Sequence, residues 1–265
     1  MAYIDSITSM ANPRVKAIMA MAMKKARVES GLFVVEGLQL VGFGVDAGWE
    51  LDTLVFRDGE NEAQKAVLNR ALQATKYALA VNGHILEKLT RKENPQGVLG
   101  VFKQKTTVLA DVKLGQDVWV VLEQVRDPGN LGTIIRTVDA VGAKGVIMVG
   151  NCTDVWSPET LRATMGSIFH VPVVMCSSET FLTWKTAQDA LMVGTHLKGE
   201  VDYREVAGKR GKKALLLAMG TEQSGLSDEM TAACDVLTKI AMRGGAESLN
   251  LAIATGVMLY ELFRS

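Results

Sequence analysis

Apolar positions divide this 265-residue chain into two halves with different rhythms. Up to about residue 105, short helix and strand signals alternate. Residues 12–30 have helical spacing behind Asn12, a candidate cap, with Pro13 at the first helical position. LFVVEG at 32–37 predicts a strand, and LQLVGFGVDAG at 38–48 predicts a helix ending near Gly48. LDTLVF is a short strand, EAQKAVLNRALQA has helical periodicity, and GHILEKLT is a further short helix. NPQG is a turn, and VLGVF runs out of it as a strand.

From about residue 117 the pattern becomes regular. Apolar runs recur at DVWVVLEQV, GVIMVG, VPVVM, LMVGTH, ALLLAMG and VLTKIAM, with helical segments between most of them. Continuous apolar strands separated by helices predict a parallel sheet covered on both faces. The fold class is therefore α/β, with a smaller α/β domain at 1–105, a polar, mixed linker at 106–116 and a parallel-sheet domain at 117–265. GFGVDAG at 42–48 mimics a dinucleotide-binding glycine pattern. Its spacing is G-x-G-x-x-x-G and its glycines fall inside a helix, so packing and a C-cap explain them better.

Hydrophobic residues make up 48% and charged residues 22%, which places the chain among soluble globular proteins. No apolar run approaches the roughly 18 residues of a membrane span, and the Met/Ala-rich start lacks the order of a signal peptide. A cytoplasmic protein without a membrane partner is expected. Cys152, Cys176 and Cys234 are scattered, as are His84, His170 and His196, so reduced buried thiols and no metal site are expected. The net charge is zero, so any contact with nucleic acid must come from local patches. Three are candidates: Arg14, Lys16, Lys24, Lys25 and Arg27; Lys88, Arg91 and Lys92; and Lys209, Arg210, Lys212 and Lys213.

Three segments of the second half concentrate chemistry. In EQVRDPGNLGTIIR a strand ends, Asp127, Pro128 and Gly129 form a loop, and a helix starts at Asn130, which offers a cap; Gly132 and Arg136 follow on that helix. In LLLAMGTEQSG, Met219, Gly220, Glu222 and Gly225 surround the turn after a buried strand. In KIAMRGGAESLN, a strand leads into Gly244–Gly245, Ser248 offers a helix cap, and Asn250 falls in the first turn. Paired glycines leave backbone groups open to a ligand. In an open α/β sheet such loops lie beyond the carboxyl ends of the strands, where ligands bind. Taken singly, each is also an ordinary β–α turn with a capped helix.

Together, in this order and spacing, the three segments resemble the motifs of the SpoU (TrmH) family of RNA ribose 2′-O-methyltransferases, within the SPOUT class. Asp127, Pro128, Asn130, Gly132 and Arg136 match the first motif; Met219, Gly220, Glu222 and Gly225 the second; Ile240, Met242, Gly244, Ser248, Leu249 and Asn250 the third. Ala241 departs from the pattern, standing where the family commonly has proline. ITSMANPRVKAIMAM, GLFVVEGLQLV and NPQGVLGVF are similar, more diffusely, to the family's ribosomal-protein-like substrate-binding domain.

The resemblance implies a trefoil knot in the C-terminal domain, a homodimer, and S-adenosylmethionine bound at Gly220, Ile240, Met242 and Leu249, largely through backbone groups. It implies methyl transfer to a ribose 2′-hydroxyl of RNA, with Arg136, Asn130, Ser248, Glu222 and Asn250 as site residues. Arg136 would grip phosphate as a bidentate fork, because a group with pKa above about 12 makes a poor base. Asn130 and Ser248 would orient the ribose or the arginine, and Glu222 and Asn250 would hold the loops. Ribosomal RNA is the favoured partner; transfer RNA, a non-catalytic RNA-binding protein keeping the fold, and a nucleotide-dependent oxidoreductase are the alternatives.

Overall fold

The computed structural model describes residues 2–57, 62–93 and 95–264, and divides into two compact units. The first comprises residues 1–105 with 156–169, the second 106–155 with 170–265.

The first unit is built from β1 (Tyr3–Ile7), α1 (Pro13–Ala20), α2 (Lys24–Ser30), β2 (Leu32–Glu36), α3 (Leu38–Asp46), β3 (Leu51–Arg57), α4 (Glu62–Ala74), β4 (Tyr77–Val81), α5 (Gly83–Thr90) and β5 (Val98–Lys103). Its sheet runs β1-β4-β3-β5-β2, parallel across the first three strands and antiparallel across the rest. Asn12 caps α1 as expected, accepting from Arg14 N. The single helix expected over 12–30 is two helices. The chain tightens at Met21–Met23, and the buried Arg27 side chain donates from Nη1 to the Met21 carbonyl at 2.6 Å, holding the break. That removes Arg27 from the expected basic surface patch. The NPQG turn begins on Asn94, which lies outside the described residues. The glycines of GFGVDAG belong to α3 and its end; a Cβ on Gly44 would strike Phe102 and Phe169 at 2.7–2.8 Å, so close packing requires that glycine.

The second unit comprises β6 (Val118–Glu123), α6 (Pro128–Val141), β7 (Gly145–Val149), β8 (Val173–Cys176), α8 (Ser178–Thr186), β9 (Ala190–Thr195), β10 (Val201–Asp202), α9 (Val206–Arg210), β11 (Ala214–Met219), α10 (Asp228–Ala233), β12 (Val236–Lys239) and α11 (Leu251–Leu262). The remaining helix, α7 (Pro158–Thr164), lies in the segment that packs with the first unit. The seven strands are ordered β10-β12-β9-β11-β6-β7-β8 and every pairing is parallel. All carboxyl ends therefore lie along one edge. The runs read as strands are buried throughout in β6, β7 and β11, as a sheet covered on both faces requires.

Two segments sit differently from the expected boundaries. Residues 106–116, expected as a linker, bridge Thr107 to Val174 and bury Leu109, Val112 and Leu114 in the second unit's core. Residues 156–169 bring Trp156 and Phe169 into the first unit's aromatic cluster with Phe33, Trp49 and Phe102, where Trp49 Nε1 donates to the Phe169 carbonyl at 2.9 Å.

Candidate active site

The carboxyl ends of β9, β11 and β12 border a cleft of about 630 Å³, within the usual range of small-molecule sites. Of the residues predicted to bind cofactor, Gly220, Ile240, Met242 and Leu249 all line it, and so do Glu222 and Ser248. Its floor is apolar, with Met219, Ile240, Leu249 and Leu251, and its rim is polar.

Gly220 has a structural requirement of its own. The 221–225 loop folds back, with Thr221 and Gly225 exchanging two backbone hydrogen bonds of 3.0 Å. A Cβ on Gly220 would collide with the backbone of Gly225 and Leu226. The glycine is thus fixed first by the chain's own turn.

The three motifs are tied to one another by side chains. Asn130, buried in the first turn of α6, donates from Nδ2 to Glu222 Oε1. Its Oδ1 accepts from Asn250 Nδ2 at 2.9 Å, and the same Nδ2 lies 3.5 Å from Glu222 Oε1. Two expected caps change hands here. Asp127, not Asn130, caps α6, accepting from Asn130 N at 2.6 Å. Asn250, not Ser248, caps α11, its Oδ1 accepting from Ala252 N and Ile253 N. A carboxamide suits both duties of Asn250, because its oxygen accepts from the helix while its nitrogen donates to the tie.

Ser248 is exposed and lines the cleft with no hydrogen-bond partner among the described residues. Arg136 stands apart. Six residues beyond Asn130 on α6, it lies about 9 Å further along the axis and roughly 120° around it. It is exposed, is not among the cleft's lining residues, and has no ion-pair partner among the described residues.

Residues 241–249 make no backbone hydrogen bond among the described residues. Their amides and carbonyls are open where the chain runs beside the cleft. An apolar floor with a run of unpaired backbone suits an adenosine, whose flat base packs while its edge atoms pair with main chain.

Several residues at the site carry no signal in the three motifs. Thr195, His196, Leu197 and Lys198 line the cleft from the end of β9, positioned because His196 N donates to Thr238 O at 2.9 Å. The apolar run LMVGTH, with its polar end, marks that edge of the sheet. Glu123, buried at the end of β6, accepts from Ser227 N and Ser227 Oγ at 2.8 and 2.7 Å and pins the start of α10. Among the described residues no group of three or more His, Cys, Asp or Glu could hold a metal, and no helix is long and apolar enough to cross a membrane.

The chain is similar to known proteins along its length. Residues 117–260 match the SpoU rRNA Methylase family, and residues 12–100 match an MRM3-like substrate binding domain. An AdoMet-bound rRNA methyltransferase from Sinorhizobium meliloti superposes with a TM-score of 0.91 at 44% identity, covering 98% of each chain. A 23S rRNA (uridine(2479)-2′-O)-methyltransferase of Streptomyces viridochromogenes is 32% identical over 91% of this chain and 85% of its own. A 23S rRNA (guanosine(2553)-2′-O)-methyltransferase of Bacillus subtilis is 28% identical over 98% of this chain and 99% of its own. With the family pattern spanning more than half its length and its three motif segments tied to one another by side chains, this chain belongs to the SpoU family of methylases.

Proposed function

We propose that this chain transfers a methyl group from S-adenosylmethionine to a ribose 2′-hydroxyl of ribosomal RNA. The Asn130–Glu222–Asn250 tie carries the reading, because it fastens the first motif to the second and third, which line the cleft. Relatives named as 23S rRNA 2′-O-methyltransferases support the substrate class. In this reading residues 1–105 capture RNA and residues 117–265 carry the chemistry; the match of residues 12–100 to an MRM3-like substrate binding domain supports it.

When bound, S-adenosylmethionine supplies an electrophilic methyl group on a sulfonium. Ile240, Met242 and Leu249, with Gly220 in the folded turn, hold the adenosine against the cleft. Glu222 and Asn250 tie the loops. Asn130 spends its carboxamide oxygen and one donor on the same tie, so it acts by holding the loops in register and leaves ribose orientation to Ser248. Because in-line transfer depends on position, loop rigidity is itself catalytic in effect. Arg136, which has no ion-pair partner among the described residues, grips an RNA phosphate as a planar fork.

The chain acts as a homodimer. The buried face of α11 comprises Leu251, Ala252, Thr255, Met258, Leu259 and Leu262, yet Ile253 and Tyr260 on the same helix, and Phe263 at its C-cap, are exposed. A second apolar stripe of this kind fits a twofold partner. It would also give Arg136, absent from its own chain's cleft, a second cleft to serve. Methylation assays with labelled S-adenosylmethionine, run beside light scattering at micromolar concentration, test both statements. A monomer with full activity would overturn the dimer.

A further inference from the structure

Outside the cleft, the first unit exposes two aromatic rings at the edge of its sheet. Tyr3 on β1 and Tyr77 on β4 are register partners in a parallel pair, so their side chains leave the sheet on the same face. Further along these strands that face is buried: Ile7 on β1, and Leu79 and Val81 on β4, join the core with Val15 and Ile18 of α1. The tyrosines stand where that cover stops, 69% and 41% exposed.

One cation stands directly against this pair. The Arg14 guanidinium lies 4.0 Å from the centroid of the Tyr77 ring. Arg14, Lys16 and Lys76 are exposed and make no ion pair among the described residues. Lys76 directly precedes Tyr77, and its carbonyl accepts from Tyr3 N at 3.0 Å, which holds the two strand starts together. Asp5, two residues beyond Tyr3 on β1, leaves the strand on the same face. Two exposed rings, one with a guanidinium against it, form a surface complementary to a polyanion that carries its own flat rings. An apolar protein partner would leave the cations without partners. A double-stranded RNA would offer phosphates and no free base faces to the tyrosines.

We propose that Tyr3, Tyr77 and Arg14 form a stacking platform for an unpaired base of the RNA substrate, with the Arg14 guanidinium facing a flanking phosphate. The proposal rests on the methyltransferase reading only for the identity of the RNA. Base–aromatic stacking tolerates any sequence, because every base has a π face. The platform therefore supplies affinity and delivery, while the nucleotide to be methylated is chosen elsewhere.

The test is a Tyr3→Ala/Tyr77→Ala double variant beside the Tyr3→Phe/Tyr77→Phe pair. Both positions are exposed, so both proteins should fold, as checked by thermal melting. The binding probe is a short single-stranded oligoribonucleotide containing 2-aminopurine, whose fluorescence reports stacking. Wild type and the Phe pair should quench it, and the Ala pair should bind roughly tenfold or more weakly, as loss of a base–aromatic stack requires. On undermethylated ribosomal RNA the Ala pair should raise KM with kcat and S-adenosylmethionine affinity unchanged. Equal binding by the Ala pair and wild type, or equal binding of a fully duplex probe, would overturn the platform. So would a changed oligomeric mass with unchanged RNA binding, which would mark the patch as a protein contact. If wild type bound and quenched the oligonucleotide yet methylated no RNA, the functional reading would fail and the platform would stand.

Discussion

Asn250 donates from Nδ2 to Asn130 Oδ1 at 2.9 Å, joining the first turn of α6 to the cap of α11 across 120 residues of sequence. Glu222 accepts from the other side of Asn130, so one buried carboxamide holds two loops that meet only in the folded chain. These contacts hold together the loops that border the cleft.

Asn130→Asp should test the tie. It replaces a donor to Glu222 with a second carboxylate, and like charges in contact repel. Methyl transfer should fall by at least tenfold and S-adenosylmethionine affinity with it. Glu222→Gln in the same chain should recover part of the loss, because an amide can donate to the new carboxylate. Isothermal titration of the single and double variants reads the coupling. Strict additivity would mean that the two side chains act independently.

Asn250→Ala removes a helix cap as well as the tie. Loss of the cap alone costs about 1 kcal/mol. Thermal melting should therefore show a lower Tm, whereas Ser248→Ala, which removes an unpartnered hydroxyl, should melt like wild type and lose activity. A Ser248→Ala enzyme with full kcat would remove Ser248 from the site.

Cofactor placement is best probed at Ala254, which lines the cleft from α11. Ala254→Phe should weaken S-adenosylmethionine binding by bulk, measured by calorimetry. Gly220→Val is not equivalent, because its side chain would first strike Gly225 and Leu226 and distort the turn. Unchanged affinity in a folded Ala254→Phe protein would place the cofactor elsewhere.

How much of this is visible in the sequence differs by level. The parallel sheet is legible, because fully buried strands such as Val118–Glu123 and Ala214–Met219 are nearly unbroken apolar runs. β1 is not: Tyr3–Ile7 is an edge strand, mostly exposed, and lacks a continuous apolar signal. The motif residues are legible as a set: the structure brings Asn130, Glu222 and Asn250 into contact and lines the cleft with Met219, Gly220, Glu222, Gly225, Ile240, Met242, Ser248 and Leu249. Their individual bonds are not legible. Asn130 and Ser248 each occupy a plausible cap position, and only the folded chain shows that Asp127 and Asn250 do the capping. Residues 156–169 were equally opaque: Trp156 and Phe169 follow no helical or strand period, and their partners Phe33, Trp49 and Phe102 lie far away in the chain. A protein truncated to residues 111–265 would uncover both aromatics, so loss of activity there would not by itself identify residues 1–105 as the RNA-capture part.

The three thiols are unpaired, and burial raises the pKa of each. Burial pushes Cys234 up to about 12, with Lys185 partly opposing; burial and the neighbouring Cys152 bring Cys176 to about 11. The folded chain thus keeps these protons at pH values where the unfolded chain, with thiols near pKa 8.5, has released them. Their contribution to stability is complete below about pH 8.5 and is lost as pH rises toward 12. At pH 8 native protein should react slowly with a thiol reagent, and denatured protein quickly, at all three positions. Rapid reaction of the native protein would contradict the burial.

Arg136 gives a clean separation of binding from chemistry. Arg136→Ala should lower kcat by about 100-fold or more while S-adenosylmethionine affinity stays within about twofold, since it removes a phosphate grip and no cofactor contact. Arg136→Lys should recover little, because an ammonium is a point charge and cannot replace the planar fork. Full activity of the lysine variant would rule out the fork.

The most direct measurement is the product itself. Ribosomal RNA from a strain lacking this gene would be incubated with the protein and methyl-labelled S-adenosylmethionine, then digested to nucleosides and separated. The label should appear in one 2′-O-methylated nucleoside, at one position in the RNA, and should vanish with Arg136→Ala. Label in a base-methylated nucleoside, or no transfer to ribosomal RNA by a protein that binds S-adenosylmethionine, would contradict the account.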